Sequence, residues 1–295
     1  MLKRKIESTR DLQSVVKTMK SLAAVNIREY ERSVESLEKY NQNIERGLQI
    51  LMRDQGKDFS NLRSVKEKND SLGVVIFGSV QGMVGQFNDR IASFAFRKID
   101  EYDTNQENRY VLAIGERIRD LLEASGHLVN NYVSLVESLR DLTSFNQMVL
   151  LKVEEWRLDH KVGRIIIFHN KPAQKTSFQP SMKHLLPLDM DWLMGLAEKK
   201  WPSRVLPAYS MSWNQLFSAM IRQYFYVSIY KATVESLASE NASRLASMQA
   251  AEKNIEEKLE EIHNRYMHQR QGSITAELLD IISGFEVLSE NSSKI

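Results

Sequence analysis

The sequence predicts a mixed α+β and α/β protein: a long antiparallel two-helix coiled coil built from the N- and C-terminal segments, with a central Rossmann-like α/β domain between them. Three observations predict it. Apolar or small residues step by three and four through Val16, Met19, Ala23, Ile27, Tyr30, Val34, Leu37, Ile44, Leu48 and Leu51. A second run steps the same way through Val234, Leu237, Leu245, Met248, Ile255, Leu259, Ile262 and Tyr266. Asn41 and Asn241 each fill one gap, so each run reads as a helix seam facing another helix within one chain. Third, the residues between the two runs change pattern, to short β-branched runs broken by glycine and proline.

Taken in order, residues 1–56 are expected to form the first coiled-coil helix, ending near Gly56. Residues 57–70 are polar and charged and read as a link. The central domain is placed at 71–210. Within it 72–77 is a strand, 78–85 a glycine-punctuated turn and 86–101 an amphipathic helix. Then come a strand at 110–114, a helix at 116–125 closed by Gly126, a helix at 142–160 and a strand at 164–169. Strand–helix alternation implies a mainly parallel sheet covered by helices. All five prolines (Pro172, Pro180, Pro187, Pro202, Pro207) fall in 171–210, read as extended and loop structure. The second coiled-coil segment is placed at 212–290, its helical pattern running to about Leu288. About 75 residues at ~1.5 Å each make a rod on the order of 110 Å. The final residues, from Glu290, read as a frayed tail.

Composition narrows the function classes. Of 295 residues, 42% are hydrophobic and 26% charged, ordinary for a folded chain, and a net charge of +2 disfavours a general polyanion binder. With no cysteine there is no disulfide, thiolate metal site or catalytic thiol, which suits a reducing compartment. The basic start MLKRKIESTR has no apolar stretch behind it and does not read as a secretory signal. No segment approaches the roughly 20 apolar residues that cross a bilayer.

Little catalytic chemistry stands out. The turn GSVQGMVGQFND follows a strand and opens a helix, where phosphate can bind. Its glycines (Gly78, Gly82, Gly85) do not have dinucleotide-binding spacing, and no Lys-Ser/Thr follows, so a tight turn with close packing is the better reading. The histidines His127, His160, His169, His184, His263 and His268 form no metal-binding spacing and read as scattered surface residues. Trp156, Trp192, Trp201 and Trp213 read as core or interface residues. No cofactor or metal site is expected. Near the C-terminus, 270–279 mixes apolar positions with hydrogen-bonding side chains; it can be read as a contact surface, but periodicity alone favours an ordinary solvated face.

Four stretches resemble one family. SLASENASRLASMQAAEKN (236–254) and RQGSITAELLDIISG (270–284) follow the pattern LASE-x-A-x-R-M-x-x-M-x-x-A-x-x-N and R-Q-A-x-I-T-x-E-L-x-E-I-V-x-G-A, and the spacing between them carries no gap. KIESTRDLQSVVKTMKSLAA (5–24) is similar to K-I-x-S-x-x-x-x-Q-K-I-T-x-A-M-x-M-V-A-A, and SVQGMVGQFN (79–88) to S-D-R-G-L-C-G-G-F-N. The family is the gamma subunit of F-type ATP synthases, the central rotor stalk. Departures are Val80-Gln81 for the usual Asp-Arg, Met267 for Asn, Phe285 for Ala, and Val25-Asn26 for Ser-Lys. With AAVNIREYERSVESLEKY they resemble the alternate branch of F-type ATPases, some of which translocate sodium.

The resemblance implies a non-catalytic subunit. Its paired helices would sit in the bore of an alternating alpha–beta hexamer, and its central domain and lower stalk would meet the epsilon subunit and the membrane-embedded c-ring. It implies a peripheral position on the cytoplasmic face of the plasma membrane. Matched position by position, Met19, Arg244, Arg270, Gln271, Thr275 and Glu277 are the residues implied to couple to beta-subunit loops. It also implies a bearing surface of mostly apolar contacts. Two other readings compete: a nucleotide-binding enzyme with helical arms, which explains only the middle, and a coiled-coil scaffold or adaptor, which explains only the ends.

Overall fold

The computed structural model describes residues 2–54, 71–102, 106–136, 138–173 and 177–292. The expected link at 57–70 and the helix end at Gly56 lie outside them. Among the described residues, two long helices, α1 (Leu2–Asp54) and α6 (Trp213–Ser292), flank in sequence five strands, four shorter α-helices and a 3-10 turn at Gln106–Asn108. Neither long helix contains proline, so nothing interrupts the backbone ladder. The C-terminal helix continues to Ser292, past the expected end at Leu288. The chain divides into two compact units, Ala23–Ala246 and Met1–Leu22 with Ser247–Ile295.

The larger unit is organised on a sheet of β1 (Leu72–Phe77), β2 (Arg109–Ile114), β3 (Asn131–Val133), β4 (Arg164–Pro172) and β5 (Phe178–Leu186), in the order β3-β2-β1-β4-β5. β1 pairs parallel with β2 and β4, β2 parallel with β3, and β5 runs antiparallel at the edge. Every residue of β1 is buried, which explains its uninterrupted apolar sequence: a central parallel strand has two covered faces. On one face Val75, Phe77, Leu112, Ile114, Ile165 and Ile167 pack with α4 (Leu142–Leu158), α5 (Met190–Glu198) and the parts of α1 and α6 within this unit. On the other, Val74, Ile76, Ala113, Ile166 and Phe168 pack with α2 (Phe87–Asp100) and α3 (Glu116–Ala124). Each such side chain contributes about 1.5–3 kcal/mol of burial.

Three elements were not expected. β3 has only three residues. β5 lies in the proline-bearing stretch, where Pro180 stands opposite Asn170; an edge strand tolerates the missing N–H. α5 lies in the same stretch and is started by Asp189, whose Oδ1 accepts from Trp192 N at 2.9 Å.

The smaller unit is a helix pair. Val16 on α1 packs with Met248 and Ile255 on α6, and Met19, Ala251 and Leu259 close around them. Lys20 pairs with Glu252, and Gln13 Nε2 donates to Glu256 Oε1 at 3.5 Å. All the seam positions named from the sequence are buried or half-buried. Asn241 is buried among them; Asn41 is half-buried and turns its amide to Glu45 Oε1 on its own helix, 2.9 Å away.

Candidate functional site

The turn after β1 is tied down by its own polar groups. Asn88 Oδ1 accepts from Ser79 N at 2.9 Å, Asn88 Nδ2 donates to Ser79 Oγ at 2.9 Å, and Ser79 Oγ donates to Gln81 O at 2.8 Å. A Cβ on Gly78 would stand 2.3 Å from Ile118 Cβ, so glycine is there to let α3 approach. From α6, Ser243 Oγ donates to Val84 O at 2.6 Å. Ser239 Oγ donates to Asn170 O at 3.1 Å, and Asn170 Nδ2 to Phe87 O at 3.1 Å. The small residues of SLASENAS bring a helix against loop backbone. Among the described residues no group of three or more His, Asp or Glu could hold a metal ion.

The same stretch of α6 carries buried polar contacts that periodicity does not reveal. Thr233 Oγ1 donates to Asn146 Oδ1 at 2.8 Å. His169 Nε2 lies 2.7 Å from Glu235 Oε2, and Lys231 Nζ is 3.8 Å from Glu235. The surface reading of the histidines is therefore corrected at His169, which is 4% exposed: it lies within β4 under α6, where a buried imidazole has a carboxylate to meet. His127 and His160 stack on Phe96 and Tyr110. Burial pushes the Glu235 carboxyl up, but the hydrogen bond and electrostatic pull of His169, with the charges of Lys231 and Lys171, outweigh it and hold the group below its ordinary value. Burial, aided by Lys231, lowers the Lys183 ammonium.

The six residues singled out from the sequence divide into three settings. Arg244 belongs to the larger unit and is buried, its Nη2 2.6 Å from Glu240 Oε1. Met19 is half-buried in the seam of the smaller unit. Arg270, Gln271, Thr275 and Glu277 lie in residues 267–282, every one of which is exposed. Thr275 Oγ1 donates back to Gln271 O at 2.9 Å.

That exposed stretch has an internal order. At about 100° per residue, Met267, Ile274, Leu278, Ile281 and Ile282 fall in one arc of the helix. Arg270 and Glu277 border it on one side, Gln271 lies within it, and Thr275 borders it on the other. Ile274, Leu278, Ile281 and Ile282 are each about half exposed or more. An apolar band with a polar margin is the anatomy of a protein-binding surface. On α1, Leu12, Val15 and Leu22 are likewise exposed, outside the seam. Chemically the surface can bind; it has no nucleophile–base pair with which to react.

A family model described as ATP synthase matches residues 1–288. Relatives over nearly the whole chain are the ATP synthase gamma chains of Lachnoclostridium phytofermentans, 25% identical over 98% of both chains, and of Ehrlichia canis, 24% identical over 97% of both. The gamma chain of Geobacter metallireducens is 26% identical over 97% of this chain and 96% of its own. Among solved structures, a chain of the Euglena gracilis mitochondrial ATP synthase, OSCP/F1/c-ring in rotational state 3, superposes with a TM-score of 0.65 at 18% identity, covering 97% of this chain and 93% of that one. A chain of the rotor of the same synthase in rotational state 1 gives 0.61 at 16% identity, covering 92% and 97%. End-to-end agreement in sequence and in fold leads to one conclusion: the chain belongs to the ATP synthase family, as a gamma chain.

Proposed function

We propose that this chain is the rotating central stalk of an F-type ATP synthase, coupling ion flow through a membrane c-ring to ATP synthesis or hydrolysis on the beta subunits of an alpha–beta hexamer. The observation that carries the reading is the exposed band at 267–282; the exposed apolar residues Leu12, Val15 and Leu22 of α1 add further uncovered apolar surface. Apolar surface of this extent is stable when a partner covers it, and a surface poor in fixed ion pairs suits a bearing. A desolvated charge pair formed at one angle is worth about 2–5 kcal/mol and would hold the rotor there. Arg270, Thr275 and Glu277 at the margin of the band, and Gln271 within it, meet beta-subunit loops. Met19 acts through the packing of the helix pair, and Arg244 from within through its pair with Glu240.

The coupling needs no chemistry in this chain. Each unit charge crossing ~100 mV supplies about 2.3 kcal/mol, and the ring turns the stalk. An asymmetric stalk presents a different surface to each beta subunit at each angle. Conformational equilibria shift only through such differential contact. The epsilon subunit and the c-ring meet the central domain and the lower stalk. Among the described residues no helix is long and apolar enough to cross a membrane; by likeness to the bacterial gamma chains the attachment is read as peripheral, on the cytoplasmic face. Asn26 and Val25, with Val80-Gln81, support the alternate branch; the transported ion is set on other subunits.

Purified alpha and beta subunits assayed with and without this chain test the reading. A stable complex with sharply higher ATP turnover, the chain alone being inert, is the expected result. No assembly and no stimulation would bring the scaffold reading forward.

A further inference from the structure

Within the larger unit, polar contacts join α1 to α6 at several levels: Trp213 Nε1 donates to Leu51 O at 3.0 Å, Tyr40 Oη to Gln223 Oε1 at 3.2 Å, and a further contact pairs two asparagine side chains. Asn26 Nδ2 donates to Asn241 Oδ1 at 3.3 Å. Asn241 is 3% exposed and its orientation is fixed on its own helix: Nδ2 donates to Leu237 O at 2.9 Å. Its carbonyl oxygen is thereby turned toward α1, where Arg244 Nη1 also approaches to 3.5 Å. Arg244 is held in turn by Glu240, 2% exposed, at 2.6 Å. We propose that the Asn26–Asn241 contact, braced by Glu240 and Arg244, is a directional clamp that fixes the rotational phase of α1 against α6.

Apolar seam contacts are non-directional and tolerate small rolls of one helix on the other. A hydrogen bond weakens steeply off line, and a buried amide left without its partner carries a desolvation penalty. Rolling α1 by one residue, about 100°, brings Val25 or Ile27 opposite Asn241, and neither side chain can donate. Polar residues in a helix seam set register at a cost in stability. Asn26 is also a position where the sequence departs from the family pattern, so the clamp is a feature of this chain. It stands whether or not the chain rotates.

The chain has no cysteine, so spin labels can be placed at Val25→Cys and Ala246→Cys, two exposed positions of the same unit beside the clamp. The full-length labelled chain should give one narrow inter-label distance. Asn26→Leu should lower the melting temperature by leaving the buried Asn241 carbonyl with only the long approach of Arg244 Nη1. Asn26→Leu with Asn241→Leu should recover it, while the distance distribution becomes at least about twofold wider, as when a polar register device is removed from a seam. A distribution as narrow in the double variant as in the parent overturns the clamp. If the double variant loses its helical signal, Asn26→Ser, whose hydroxyl is too short to span the gap, decides in its place: a widened distribution supports the clamp, an unchanged one overturns it.

Discussion

Glu235 is the residue whose charge the fold depends on most visibly. Its carboxylate accepts from His169 across the sheet–helix boundary inside the larger unit and is held below the ordinary value of 4.5. A carboxyl depressed by folding contributes stability that is present above the unfolded-state value. That stability is lost as pH falls through the lower, folded-state value. Glu235→Gln should therefore cost stability at neutral pH, about 1.5–3 kcal/mol for a hydrogen bond to a charged group. The cost should shrink once the pH drops below about 4.5, because the parent then loses the same contribution. Melting temperatures of parent and variant measured from pH 7 to pH 3 would show two curves converging on the acid side. Parallel curves would mean the pair carries no net charge-dependent stability. Nothing in the sequence points to this pair. His169 and Glu235 are 66 positions apart, and a lone histidine at the end of an apolar strand gives no sign of what covers it.

At the scale of elements, the two seams were legible because the seam residues are covered on one side of their helix, by the partner helix in the smaller unit and by the common core in the larger. Val16, Tyr30, Leu48, Met248 and Ile262 are buried, as the three-and-four spacing required. β1, β2 and β4 were legible for a related reason: a strand with both faces covered becomes an apolar run that few other elements imitate. β5 was not, because an edge strand with Pro180, Lys183 and His184 satisfies only one ladder and leaves much of its surface to solvent. The seam makes a local prediction. Ile255 is 9% exposed against Val16 and Met248. Ile255→Asp removes a packed side chain and buries a charge, together about 3 kcal/mol or more. Amide exchange should accelerate within Met1–Leu22 and Ser247–Ile295, while exchange within Ala23–Ala246 stays as in the parent. Unchanged protection in the helix pair would place the seam elsewhere.

At the scale of the whole molecule, folding and function draw mostly on different residues. The residues that fold the chain are inside: the two faces of the sheet, the seam of the helix pair, and the staple from α6 to the turn after β1. Of the residues proposed to couple it, Arg270, Gln271, Thr275 and Glu277 lie outside on 267–282, where periodicity alone favours a solvated face over a contact surface, while Met19 and Arg244 lie within the packing. Among the described residues the apolar band is exposed throughout, and the family match is what favours reading it as a contact surface. Arg270→Ala with Gln271→Ala separates the two roles. Exposed substitutions away from a cap or core change stability by about 0.5 kcal/mol or less, so the melting temperature of the isolated chain should hold. Truncating one partner of a charged pair buried at an interface costs about 2–5 kcal/mol, equivalent to about 30-fold or more in the coupled step. In the reconstituted synthase, ions moved per ATP hydrolysed should fall steeply while assembly persists. A large drop in melting temperature with coupling intact would mean that these side chains serve the fold, and that the apolar band alone meets the beta subunits.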